Sequence, residues 1–213
     1  MNNALFTEDQ IIKNQITSAI NDYSSDDWEV RLKAIKSIEK YGNSIYAKNI
    51  IILMLLAAED CHPIVQLEAI ENLKIIKPDA AVDTLQHIAL NDNNHNVRYA
   101  ALTALSAYNS HGNIEIFIEN LSNHDWLIRE AAYLGLLSIT PLEDQRDYIT
   151  KIVKGINDDS LSIRIAVLSN VKIQDPRIYS EIIKIIKDRK SKFSLLKASL
   201  VAIKGYMLDS ETR

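Results

Sequence analysis

The sequence predicts an all-α solenoid of about six helical hairpins, and three observations lead there. First, one phrase recurs: Asp27-Trp28-Glu29-Val30-Arg31, His62-Pro63-Ile64-Val65-Gln66, Asn94-His95-Asn96-Val97-Arg98, Asp125-Trp126-Leu127-Ile128-Arg129 and Ser160-Leu161-Ser162-Ile163-Arg164. The steps are 35, 32, 31 and 35 residues, and Gln66 is the one break in the arginine column. A period in that range marks stacked helical units, none of which can bury its own apolar face alone. Second, the residues around each arginine trace a single helix face. Third, the 213 residues include only 5 Gly and 4 Pro, and no stretch alternates with the period of two that a strand requires.

Every unit reads in the same order. Four residues before the arginine position stand Asp27, His62, Asn94, Asp125 and Ser160. All but His62 carry a side-chain oxygen that can accept from a free backbone N–H at a helix start. Next come Trp28, Pro63, His95, Trp126 and Leu161. A proline there costs nothing, because the first turn leaves its N–H unpaired anyway. One residue before the arginine the side chain is always β-branched: Val30, Val65, Val97, Ile128 and Ile163. Three after it stand Ala34, Ala69, Ala101, Ala132 and Val167; four after it Ile35, Ile70, Leu102, Tyr133 and Leu168; seven after it Ile38, Leu73, Leu105, Leu136 and Val171. This −1, +3, +4, +7 stripe is the apolar face of the second helix of a hairpin, with the small column where a neighbouring backbone comes close.

The first helices lie upstream, over 8–22, 44–58, 79–90, 113–121, 144–156 and 177–187. Pro78, Pro141 and Pro176 sit where such helices begin, and Gly42 stands as a C-terminal stop. A sixth unit has its second helix at about 191–207, with Leu195 in the arginine column and Ala198 in the small one.

The Asp-x-x-Val-Arg-x-x-Ala phrase resembles HEAT repeats, in particular the short bacterial kind also found in phycobilin-lyase-like proteins, over residues 8–207. The signatures of tetratricopeptide and ankyrin units are absent. The resemblance implies one right-handed solenoid domain over residues 1–213. It also implies that the arginines bond acids near the turn of an adjacent unit. Asp27, Asp60, Asp92, Asp125 and Asp159 are placed to accept from Arg31, Arg98, Arg129 and Arg164, with Gln66 a neutral rung. Second helices of that family line a concave side. Positions +1, +5 and +8 in the middle units are Tyr99, Thr103, Ser106, Glu130, Leu134, Ile165 and Ser169, an aromatic and two large aliphatics among small polar residues. Such a mixture suits protein recognition. The same columns earlier hold Leu32, Lys36, Glu39, Leu67, Glu71 and Lys74.

Charge and chemistry narrow the function. The net charge is −4, yet residues 181–204 hold seven basic residues against Glu181 and Asp188, so that end is +5 and the rest is −9. An acidic body argues against sequence-independent binding to phosphate backbones. The single Cys61 excludes an internal disulfide and fits a reducing, cytoplasmic setting, with no signal segment at the start of the chain and no apolar run of membrane length. His62, His95 and His124 fall one unit apart, too far to converge on one ion, so neither a metal nor a cofactor is expected. Trp28 and Trp126 share a column with Pro63 and His95, which packing at a helix start explains. No phosphate-cradling loop, nucleophile elbow or carboxylate pair is legible. The expected function is a non-enzymatic scaffold, adaptor or inhibitor that binds another protein. A resemblance in fold to alkylpurine DNA glycosylases and to bilin lyases supplies the alternatives.

Overall fold

The computed structural model describes residues 7–42, 44–108, 111–139, 148–172 and 174–211. Among them lie twelve α-helices: α1 Glu8–Asp22, α2 Trp28–Ile38, α3 Ala47–Ala58, α4 Pro63–Ile76, α5 Val82–Asn91, α6 His95–Ala107, α7 Ile114–Asn120, α8 Trp126–Ile139, α9 Ile149–Ile156, α10 Leu161–Asn170, α11 Pro176–Lys187 and α12 Phe193–Glu211. No strand occurs among the described residues. The predicted Pro141 start, and residues 144–147 of the helix expected after it, lie outside them.

Packing divides the chain into two compact units, Met1–Tyr108 and Asn109–Arg213. In the first, α1, α3 and α5 pack against α2, α4 and α6 in turn, and the even-numbered helices pack on one another. In the second, α7, α9 and α11 pack against α8, α10 and α12, and α8, α10 and α12 form the stacked layer. Within each unit this is the all-α solenoid arrangement in which one hairpin closes its core on the next.

The predicted stripe forms that core. Ala34, Ala69, Ala101, Ala132 and Val167 are buried, as are Ile35, Ile70, Leu102, Tyr133 and Leu168 beside them. Val30 and Val171, at the two ends of the stripe, are only half-buried.

Helix ends show how the sequence sets the turns. Asp27, Asn94 and Asp125 accept at their side-chain oxygens from the backbone N–H of Glu29, Asn96 and Leu127. Ser160 occupies the same slot without a side-chain cap bond. The more regular device lies two residues earlier. Ser25, Asp60, Asp92, Asn123 and Asp158 accept from the backbone N–H of Asp27, His62, Asn94, Asp125 and Ser160, at 2.7 to 3.2 Å. Each of these five turns is thus closed by its own side chain before the second helix begins.

Gly42 differs from the expected stop. Helix α2 already ends at Ile38 and tightens into a 3-10 turn over Glu39–Tyr41, and Gly42 keeps right-handed angles (φ −55°, ψ −22°). What demands glycine there is space, since a Cβ would stand 2.5 Å from Cδ1 of Ile76. The left-handed stop is Lys77 (φ 54°, ψ 49°), which ends α4 by donating its N–H to the Leu73 carbonyl.

Candidate functional site

The arginine column holds turns together. Arg31 grips the Asp60 carboxylate with Nε and Nη2, both at 2.8 Å, and its Nη1 donates to the Ser25 and Asp26 carbonyls. Arg129 repeats this, with Nε and Nη2 on Asp158 at 3.0 and 2.9 Å and Nη1 on the carbonyls of Asn123 and His124. One guanidinium therefore ties its own turn to the acid of the following one, in the two-pronged geometry that makes arginine–carboxylate pairs strong. Both pairs are largely shielded, with side-chain exposures of 10% and 3% for Arg31 and Asp60, and 16% and 8% for Arg129 and Asp158.

The acceptors are not all those expected. Asp158 takes Arg129 instead of Asp159, because the acceptor column is the turn-closing one, two residues before the cap. Asp27 and Asp125 spend a side-chain oxygen on capping their own helices. Asp92 accepts from Gln66 Nε2 at 3.0 Å, and only its backbone carbonyl serves Arg98. Arg164 donates Nε to the Ile156 carbonyl, eight residues back, as Gln66 Nε2 does to that of Ala58. Among the described residues, no ion pair to an acid forms at Arg98 or Arg164.

Electrostatics follow this geometry. Burial works to raise the Asp60 carboxyl, but the bonds from Arg31, the His62 N–H and the Tyr23 hydroxyl outweigh it and hold the group below its ordinary range. Asp158 is lowered in the same way, burial being outweighed by Arg129 and the Ser160 N–H. Tyr133 is pushed up to about 12 by burial and the nearby Asp158. Its hydroxyl is buried with no hydrogen-bond partner among the described residues.

The columns expected to face the concave side run along the second helices. Tyr99, Thr103 and Ser106 on α6, in the first unit, are half-buried. Two of them bond within α6, the Thr103 hydroxyl donating to the Ala100 carbonyl and the Ser106 hydroxyl to the Thr103 carbonyl. On α8 and α10, in the second unit, Glu130, Leu134 and Ile165 are half-buried and Ser169 is exposed. Members of these columns reach the following helix, Glu130 accepting from the Ser162 hydroxyl and Lys36 pairing with Glu68 at 3.3 Å. Glu130 and Lys36 thus tie successive helices, while Leu134 and Ile165 stay half open.

Trp28 stacks flat on His62, with ring centroids 4.1 Å apart. Trp126 does not fit the packing expectation, because 48% of it is exposed. Cys61 is exposed and accepts from Arg31 Nη2 at 3.3 Å. It borders a cleft of about 430 Å³ with Glu59, Asp60, Gln66, His87 and Asp92. Among the described residues, no group of three or more His, Cys, Asp or Glu could hold a metal ion, and no helix is long and apolar enough to cross a membrane.

Sequence reasoning marked the last helix for its charge and its departure from the repeat, not for an apolar face. On α12 Phe193 is 82% exposed, Leu200 56% and Val201 57%. The signal was present, because placing the buried Leu195 in the arginine column puts Leu196 and Leu200 at +1 and +5.

Comparison with known proteins bears on the architecture. Residues 52–137 match the family model for HEAT repeats. No curated protein matches the chain significantly. Among solved structures, the Escherichia coli protein YibA aligns at 12% identity and a TM-score of 0.66, covering 98% of this chain and 80% of its own. The complex of CpcE and CpcF of phycocyanin lyase from Nostoc sp. PCC7120 aligns at 20% identity and 0.57, over 73% of this chain and 97% of the matched one. A designed armadillo repeat protein aligns at 12% and 0.58, over 90% and 99%. At such identities the likeness speaks for fold alone, and the fold serves a lyase subunit as well as a designed scaffold. The recurring arginine phrase, the stacked second helices and the match to HEAT repeats at residues 52–137 agree on an all-α solenoid fold of helical repeats.

Proposed function

We propose that this protein is a non-enzymatic binding module, a scaffold, adaptor or inhibitor, that presents the outward columns of its second helices to another protein. The observation that carries the reading is the state of those columns on α8 and α10. Leu134 and Ile165 are large and apolar, yet neither is consumed by the core, and each follows by about one helical turn a member of the Glu130–Ser162 contact. An apolar pair with a polar neighbour, fixed on rigid helices, needs little ordering before it binds. Tyr99, Thr103 and Ser106 offer the same kind of surface on α6 in the first unit.

A photo-crosslinking residue at 134 or 165, with one at the exposed Ile52 of α3 as control, tests this in the native host. Crosslinks to one protein from 134 and 165, absent from 52, are expected. Crosslinks only from 52, or crosslinks to nucleic acid, overturn it.

A further inference from the structure

The outward face of α12 is built differently from those of the preceding second helices. Phe193, Leu196, Leu200 and Val201 follow one another at the i, i+3, i+7, i+8 spacing of a helix face. The opposite face, with Leu195, Ala198 and Ser199, is buried. The open face is not uniformly apolar, since Lys197 and Lys204 stand within it and line, with those four residues, a trough of about 430 Å³. Lys192 is exposed just before it. From Lys192 to Lys204 the sequence of this segment contains no acid.

We infer that this trough is a docking site for an amphipathic helix of a partner protein whose apolar stripe is flanked by acidic residues. Three observations select that occupant. The +1 and +5 columns, through which Glu130 and Lys36 reach the following helix, are here Leu196 and Leu200, so the chemistry that elsewhere holds a neighbouring helix is apolar and open. Charge then sets the sign, because a second copy of the same face would bring Lys197 and Lys204 against their own kind. Length sets the register. Lys197 and Lys204 are seven residues apart, about 10 Å along the axis. A partner helix that meets both carries acids seven residues apart, with an apolar residue between them to enter beside Leu200. This site is separate from the α8 and α10 columns, so either can fail without the other.

The test uses the full chain and two labelled helical peptides of three heptads each, identical in their Leu/Ile stripe, one flanked by Glu and the other by Lys. Fluorescence anisotropy is expected to show at least tenfold tighter binding of the Glu-flanked peptide at low salt. Leu200→Ser should weaken it tenfold or more, and the double variant Lys197→Glu/Lys204→Glu should reverse the preference. All three positions are exposed, and circular dichroism verifies that each variant keeps its helix content. The inference is overturned by any of these results: no binding of the Glu-flanked peptide, equal binding of both peptides, or indifference to Leu200→Ser. It is equally overturned if vesicles containing phosphatidylserine or a second copy of the chain bind through Leu200 while the peptide does not.

Discussion

At the scale of single residues, the arginine column shows that one residue type at one repeat position can carry different weights. Arg31 holds a shielded carboxylate with two bonds and two carbonyls with a third nitrogen. Arg98 holds the Asp92 carbonyl. Removing Arg31 strands Asp60, so Arg31→Ala should cost about 3–5 kcal/mol, whereas Arg98→Ala should cost about 1 kcal/mol. Chemical denaturation of the two variants checks the contrast, and equal losses would contradict the assignment. The same pair sets an acid limit. Asp60 and Asp158 are lowered relative to the unfolded chain, so their contribution is present above the unfolded carboxyl pKa, about 4, and is lost as pH falls through the lower folded value. Asp60→Asn should flatten that part of the stability–pH curve. Tyr133 contributes in the opposite direction at alkaline pH. With its folded pKa at about 12, its share is full below the unfolded value and is lost as pH rises through the folded one. Because its hydroxyl is buried without a partner, Tyr133→Phe should stabilise the protein by about 1 kcal/mol, seen as a higher melting midpoint.

At the scale of elements, helix ends were only partly legible. Asp27, Asn94 and Asp125 are recognisable caps because a short side-chain oxygen before an apolar stripe has one obvious use. The turn-closing column of Ser25, Asp60, Asp92, Asn123 and Asp158 mixes three residue types, and its shared job shows only when the turn is folded. Residue type therefore points as well to Asp159, while the folded turn presents Asp158. Glycine and lysine exchange roles for a similar reason. Gly42 makes room for Ile76, while Lys77 adopts the left-handed conformation that ends α4. That conformation costs an L-residue with a Cβ about 1 kcal/mol or more, so Lys77→Gly should raise stability by about 0.5–1 kcal/mol. A lowered melting midpoint would show that the Lys77 side chain does more than cap. Gly135 faces the ring of Phe117, where a Cβ would collide. Gly135→Ala should therefore cost about 1–3 kcal/mol by overpacking.

At the scale of the whole molecule, repeat architecture and charge distribution are separate facts with separate consequences. A net charge of −4 with a +5 stretch at residues 181–204 predicts weak binding to duplex DNA at physiological salt, confined to that stretch. Anisotropy with labelled duplex checks it, and submicromolar, steeply salt-dependent binding would promote a nucleic-acid role. The sequence by itself determined the helical period, the buried stripe and the recurrence of arginine, because each depends on residue type at fixed spacing along one chain. The tertiary structure alone decided which acid each guanidinium meets, that Trp126 stays exposed, and that the last unit leaves Phe193, Leu200 and Val201 uncovered. Those outcomes depend on what the neighbouring turn or helix brings within 3 to 4 Å, and spacing along one helix cannot encode the position of another.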